Sequence, residues 1–125
     1  MDHSKGFLSM VDECRPRIRE ITSEEAKSRM ESGAGVVLVD VREDSEWAEG
    51  RILGAVHLGK GVLERDLEKT IPETGTEILF YCGGGYRSAL ATDNIQKMGY
   101  HNVLSLDGGW RAIEASDLPL DPPRK

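Results

Sequence analysis

Two short runs constrain the fold more than anything else in this chain: Val36 to Val41 and Glu77 to Cys82. Both are nearly continuous in apolar, β-branched or aromatic residues, without the polar alternation of a half-exposed strand. A strand that is apolar on both sides must be covered on both sides, which is the situation of an inner strand in a parallel sheet. The segments around them supply partners and covers. Ile18 to Ile21 alternates like an edge strand. Thr22 with Glu25 forms a capping box for a helix to about Ser32, ended by Gly33. Glu43 to Glu49 reads as a short helical turn, Ala55 to Leu58 as a short strand, and Val62 to Lys69 as a helix closed by Pro72.

The same rhythm continues through a helix from Arg87 to Met98, with Leu90, Ala91, Ile95 and Met98 on one face and Gly99 as its cap. Val103 to Leu106 gives another strand, Asp107 to Gly109 a turn, and Trp110 to Ala115 a last short helix. Strands alternating with helices make an α/β domain with a central, mainly parallel sheet of about five strands, and no repeat or linker divides it. The expected bounds are a domain over residues 17–120, an N-terminal appendage over 1–16 and a flexible tail over 121–125. Phe7, Leu8 and Val11 at helical spacing make the appendage a short helix stopped by Pro16, and prolines dominate the segment from Pro119 onward.

Charge and composition remove several functions. Against 16 Lys and Arg stand 22 Asp and Glu, and a net charge of −6 is the wrong sign for a protein that works on nucleic acid or anionic lipid. The longest apolar stretches, such as Ile78 to Cys82, are far too short for a bilayer, and no basic segment precedes a long apolar one at the N-terminus, so the expected location is the cytoplasm. Two cysteines, Cys14 and Cys82, form no disulfide framework. His3, His57 and His101 are scattered, and no Cys or His pair has zinc-ligand spacing, so neither a metal nor another cofactor is expected.

The chemistry gathers at Cys82. In open α/β sheets the reactive site lies beyond the carboxyl ends of the strands, and Cys82 ends an inner one. Gly83, Gly84, Gly85 and Tyr86 follow and lead into a helix at Arg87 and Ser88. Three glycines let the backbone turn sharply and aim several N–H groups at one point, a nest that suits an anionic sulfur. The alternative is a small buried hydrophobe at a strand end. Arg87 weighs against it: a cation in the first turn of a helix opposes the macrodipole, so a carboxylate from another segment or an anion in the loop must compensate.

The segments Asp40-Val41-Arg42-Glu43, Glu46-Trp47, Gly50-Arg51-Ile52, Gly54-Ala55-Val56-His57, Cys82 to Ser88 and Asp107-Gly108-Gly109-Trp110 occur in that order. With them the chain resembles a single-domain rhodanese, of the thiosulfate sulfurtransferase family, from about Ile18 to Leu120. The resemblance implies a three-layer rhodanese-like fold and a persulfide mechanism. Cys82 takes a sulfane sulfur from thiosulfate or another persulfide donor and passes it to cyanide or a thiol, including a thiol-bearing protein. Loop N–H groups of Gly83 to Ser88 hold the persulfide. It further implies an ion pair between Arg87 and Glu46 that braces the loop.

Asp40 and Arg42 are expected either to support that loop or to form a structural salt bridge. Tyr86 is either a pocket wall or exposed, Trp110 a core residue and His57 a packed, hydrogen-bonded histidine. Cys14 is an incidental thiol. Arg51 stands where many relatives have His, and Ile113 where many have Trp. The loop lacks a second basic residue, which disfavours dianionic thiosulfate as the preferred donor. Two other readings remain: a non-catalytic docking module, and a Cys-based phosphatase, whose loop is one residue longer than the four residues between Cys82 and Arg87. A monomer or weak dimer is expected.

Overall fold

The computed structural model describes residues 3–124. The chain runs through α1 (Lys5–Cys14), a 3-10 turn (Arg15–Arg17), β1 (Glu20–Ile21), α2 (Ser23–Glu31), β2 (Val37–Asp40), α3 (Asp44–Glu49), β3 (Arg51–Ile52) and β4 (Val56–His57). It continues through α4 (Lys60–Thr70), β5 (Ile78–Tyr81), α5 (Tyr86–Gln96), β6 (Val103–Leu106), α6 (Gly109–Ala115) and β7 (Leu120–Asp121). Five strands form one sheet in the order β1-β6-β5-β2-β4, and every neighbouring pair is parallel. The two apolar runs become β2 and β5, adjacent in register from Val37 opposite Ile78 to Asp40 opposite Tyr81.

Strand alternation divides the core into two halves. Val39, Ile78, Phe80, Cys82 and Val103 face a cluster with Leu63 and Leu67 of α4 and Ala91 and Ile95 of α5. Leu38, Leu79, Tyr81, Leu104 and Leu106 face the other side, with Ala26 of α2 and Ile113 of α6. This period of two decides which layer each strand residue can serve, and it puts Cys82 on the side of α5. Among the described residues no helix is long and apolar enough to cross a membrane.

Both ends are held more firmly than their composition suggests. The N-terminal segment is a helix, as its spacing implies, and it docks rather than dangles. Val11 and Cys14 are buried against Ala89 of α5, with Phe7 and Tyr86 packed beside them. Of residues 1–16, Met1 and Asp2 lie outside the described residues. The segment from Pro119, expected to be loose, instead supplies β7, which pairs antiparallel with β3 and so makes a second, two-stranded sheet that the sequence does not announce. The Arg124 guanidinium then donates to the carbonyls of Ile113, Glu114 and Leu118, capping the end of α6. Lys125 lies outside the described residues.

Candidate active site

The turn from β5 to α5 encloses Cys82. Gly85 has φ of 95°, a left-handed conformation that glycine adopts without steric cost, and it is the N-cap of α5. That turn brings the N–H of Gly85 to 3.1 Å and the N–H of Ser88 to 3.3 Å from Cys82 Sγ. Of the amides expected to converge on this sulfur, these two reach it. A sulfur that accepts two backbone hydrogen bonds at the first turn of a helix sits where negative charge is stabilised.

The loop is fixed from behind by α6. Trp110 N–H donates to the Cys82 carbonyl at 2.7 Å and Arg111 N–H to the Gly83 carbonyl at 3.3 Å. Because peptide units are planar and trans, pinning these two carbonyls on α6 turns the N–H groups of Gly83 and Gly84 away from it. The contact requires Gly109, whose φ is 52°: a Cβ there would lie 2.5 Å from the Cys82 carbonyl oxygen and 2.8 Å from both Gly83 C and Gly84 N. Backbone cannot swing aside as a side chain can. Gly109→Ala is therefore expected to cost about 2 kcal/mol of stability, read as a lower urea midpoint. It is also expected to lower kcat/KM for any Cys82-dependent reaction about tenfold by shifting the loop. Unaltered kinetics would mean that the loop is not held from this side.

The Arg87 and Glu46 side chains meet as a two-pronged pair, Nη1 to Oε1 at 2.7 Å and Nη2 to Oε2 at 3.1 Å. Glu46 is the carboxylate that compensates for a cation at the start of α5. It is itself held by α3, since Oε1 accepts the Glu43 N–H at 3.0 Å. The Arg87 hydrogen bonds hold the Glu46 carboxyl below its usual range, partly offset by burial, and the same bonds raise Arg87. For a carboxyl lowered by folding, the stabilising contribution is present above the unfolded value and is lost as pH falls through the lowered one. The stability advantage of wild type over Glu46→Gln is thus expected to be full near pH 6 and to fade only as pH drops through and below the ordinary carboxylate range, measurable by urea unfolding at a series of pH values. A constant difference down to acid pH would contradict the pairing.

Asp40 and Arg42 form the buried structural bridge rather than a direct support of the cysteine loop. Both are essentially inaccessible, and Arg42 donates to Asp40 through Nε at 3.0 Å and Nη2 at 2.6 Å. The remaining capacity of Nη2 goes to the Gly50 carbonyl at 2.6 Å, and the guanidinium stacks 4.3 Å from the Trp110 ring. Trp110 therefore has two roles: it packs at the edge of the core, as expected, and it also lines the cavity over Cys82. His57 is packed and hydrogen-bonded, with Nε2 2.9 Å from the Arg42 carbonyl and its ring stacked on Trp47. Arg51 lies over the same Trp47 ring, 4.5 Å from its centre.

Three groups at the site escape a reading of motifs. Ser105 of β6 is fully buried with its Oγ 2.8 Å from Ser88 Oγ, which lies 3.5 Å from Cys82 Sγ. Its signal is a lone polar residue in an otherwise apolar strand, at the position whose alternation matches that of Cys82. His3 and Phe7 of the N-terminal segment line the cavity with Tyr86, which is thus a wall. Arg111 and Glu114 of α6 stand at its rim. Cys14, by contrast, is buried at the end of α1 on the face that packs against α5, and that burial pushes its thiol pKa up.

Residues 22–116 match the model of the rhodanese-like domain family. A sulfurtransferase of Allochromatium vinosum is 33% identical over 106 residues, covering 85% of this chain and 97% of that one. The thiosulfate sulfurtransferase GlpE of Haemophilus influenzae is 30% identical over 103 residues, covering 82% of this chain and 94% of its own. Among solved structures, the protein RPA3614 of Rhodopseudomonas palustris, described as of unknown function and a "possible tyrosine phosphatase", superposes with a TM-score of 0.84 at 32% identity, covering 95% of this chain and 96% of its own. A parallel five-stranded sheet flanked by helices, a cysteine at the end of its central strand and a match over most of the length together establish that the chain belongs to the rhodanese-like domain family.

Proposed function

We propose that the protein is a sulfurtransferase in which Cys82 carries the transferred sulfur as a persulfide. The observation that carries the reading is the two-amide cradle on Sγ at the floor of an open cavity, braced by the Arg87–Glu46 pair. In the first half-reaction the Cys82 thiolate attacks the outer sulfur of a sulfane donor. With thiosulfate, the sulfur–sulfur bond breaks, sulfite leaves with the electron pair, and Cys82 keeps one added sulfur with a negative charge. In the second, cyanide or a thiolate attacks that outer sulfur and regenerates the Cys82 thiolate, with thiocyanate or a new persulfide as product. Charge and atoms balance in both steps without an oxidant.

The loop amides serve both halves. They face the sulfur before and after transfer, so the site need not reorganise as negative charge moves outward by one atom. Ser88 Oγ, backed by Ser105, adds a hydroxyl that accepts from a neutral thiol and donates to an anionic sulfur by rotating its hydrogen.

The kinetic test is a two-substrate grid with thiosulfate and cyanide. A family of parallel double-reciprocal lines is the expected result, because the donor leaves before the acceptor binds. Intersecting lines would require both substrates on the enzyme together and would contradict the carrier role. The phosphatase reading is tested on an aryl phosphate, where the short loop predicts no turnover dependent on Cys82.

A further inference from the structure

The space above Cys82 is larger and more aromatic than a small inorganic donor requires. The cavity measures about 1140 Å³, at or above the roughly 300–1,000 Å³ of sites that hold drug-sized organic ligands. One wall comes from outside residues 22–116, the part of the chain that matches the family: Phe7 of α1 and His3 before it. Their rings gather on Tyr86 at the loop tip, with centroid separations of 4.5 Å for His3 to Tyr86, 6.1 Å for Phe7 to Tyr86 and 5.1 Å between His3 and Phe7.

This wall is fixed in place. Phe7 stands one helical turn before Val11, which is fully buried, so the contact that docks α1 also aims Phe7 over the loop. The Arg15 guanidinium, 5.6 Å from the Tyr86 ring centre, holds the ring from the other end of α1. Trp110 lines the cavity as well.

The described charged residues at this mouth are of both signs. Among the described residues, Arg87 is paired with Glu46, and the cavity lining carries one further Arg, Arg111, and one further carboxylate, Glu114. With these described charges opposed in sign and a net charge of −6 on the chain, the long-range field does not favour thiosulfate, whereas the aromatic faces offer contact area to a carbon body.

Resting on the sulfurtransferase reading above, we infer that the N-terminal helix makes this site selective for an organic sulfane donor: a persulfide or thiosulfonate whose flat or apolar body lies against Phe7 and Tyr86 while its sulfur head reaches Cys82. For a thiosulfonate, the Cys82 thiolate bonds to the terminal sulfur, the bond between that sulfur and the sulfonyl sulfur breaks, and a sulfinate leaves with the electron pair.

The test compares benzenethiosulfonate with methanethiosulfonate, two monoanions that share the reacting head and differ in the body, in wild type, Phe7→Ala, Phe7→Tyr and Met10→Ala. Wild type is expected to favour the aromatic donor on the order of tenfold in kcat/KM, mainly through KM. Phe7→Ala is expected to lower that preference at least about threefold and Phe7→Tyr to restore it. Met10, exposed and outside the cavity, serves as the control for a general disturbance of α1. Differences between the two leaving groups cancel when the preference is compared across variants. Sulfur loading from both donors with no change of preference in Phe7→Ala would overturn the role of the wall and leave the sulfurtransferase reading standing. Loading from neither would overturn the reading itself.

Discussion

Cys82→Ser is expected to abolish sulfur transfer, with a loss of at least about a thousandfold in kcat, while the fold stays intact. Serine occupies nearly the same volume, and its Oγ can accept the same hydrogen bonds from Gly85 and Ser88 that reach Sγ. What it cannot do is hold a transferable sulfur, because an alkoxide is far less accessible near neutral pH than a thiolate and forms no stable bond of the required kind. Unfolding in urea and the circular dichroism spectrum are the controls. Residual turnover within about tenfold of wild type in a folded variant would place the nucleophile elsewhere. Cys14, the other thiol, is sealed between α1 and α5, outside the cavity over Cys82, and would need local unfolding to substitute.

The second large effect concerns stability and comes from a buried pair that is not part of the cavity lining. Asp40 is 0% exposed and Arg42 3%, and the carboxylate also accepts the Arg42 backbone N–H at 2.9 Å. Asp40→Ala leaves a guanidinium in the interior whose remaining partners are the Gly50 carbonyl and the faces of Trp110 and Tyr81. Removing one partner of a buried ion pair costs about 3–5 kcal/mol, mostly because the other charge is stranded. A loss of that size is expected in urea unfolding. The Asp40→Leu/Arg42→Met double variant should recover a large part of it, since replacing both charges by apolar groups removes the stranded ion. A single-variant loss under about 1 kcal/mol would mean that Arg42 reaches water without its carboxylate.

Much of this architecture is legible from periodicity. The runs that become β2 and β5 are apolar on both faces because each face meets a helical layer, and α2 is announced by a capping box whose reciprocal bonds form between Thr22 and Glu25. The nucleophile candidate and its loop are legible too, because a strand end followed by Gly83 to Gly85 leaves few conformations other than a tight turn into a helix. The Arg87–Glu46 pair is legible only through the resemblance, since nothing local joins residues 41 positions apart.

What stays hidden depends on long-range packing. The pairing of β3 with β7 brings Arg51 beside Asp121 across 70 residues, and each strand is two residues long, too short for any pattern. The role of the N-terminal helix is hidden for the same reason: its spacing shows a helix, yet only docking on Ala89 reveals that Phe7 overhangs the cysteine loop. Ser105 is visible as an oddity in β6, but its meaning requires knowing that Ser88 and Cys82 stand on the same side of the sheet.

The most direct measurement is the intact mass of the protein after incubation with a sulfane donor and removal of excess reagent, with no acceptor present. Wild type should gain the mass of one sulfur atom, lose it on addition of cyanide, and yield a peptide that places the added atom on Cys82. Cys82→Ser should show no gain. A wild-type protein that stays unmodified with thiosulfate and with organic donors alike, or one that carries the sulfur on another residue, would contradict the account.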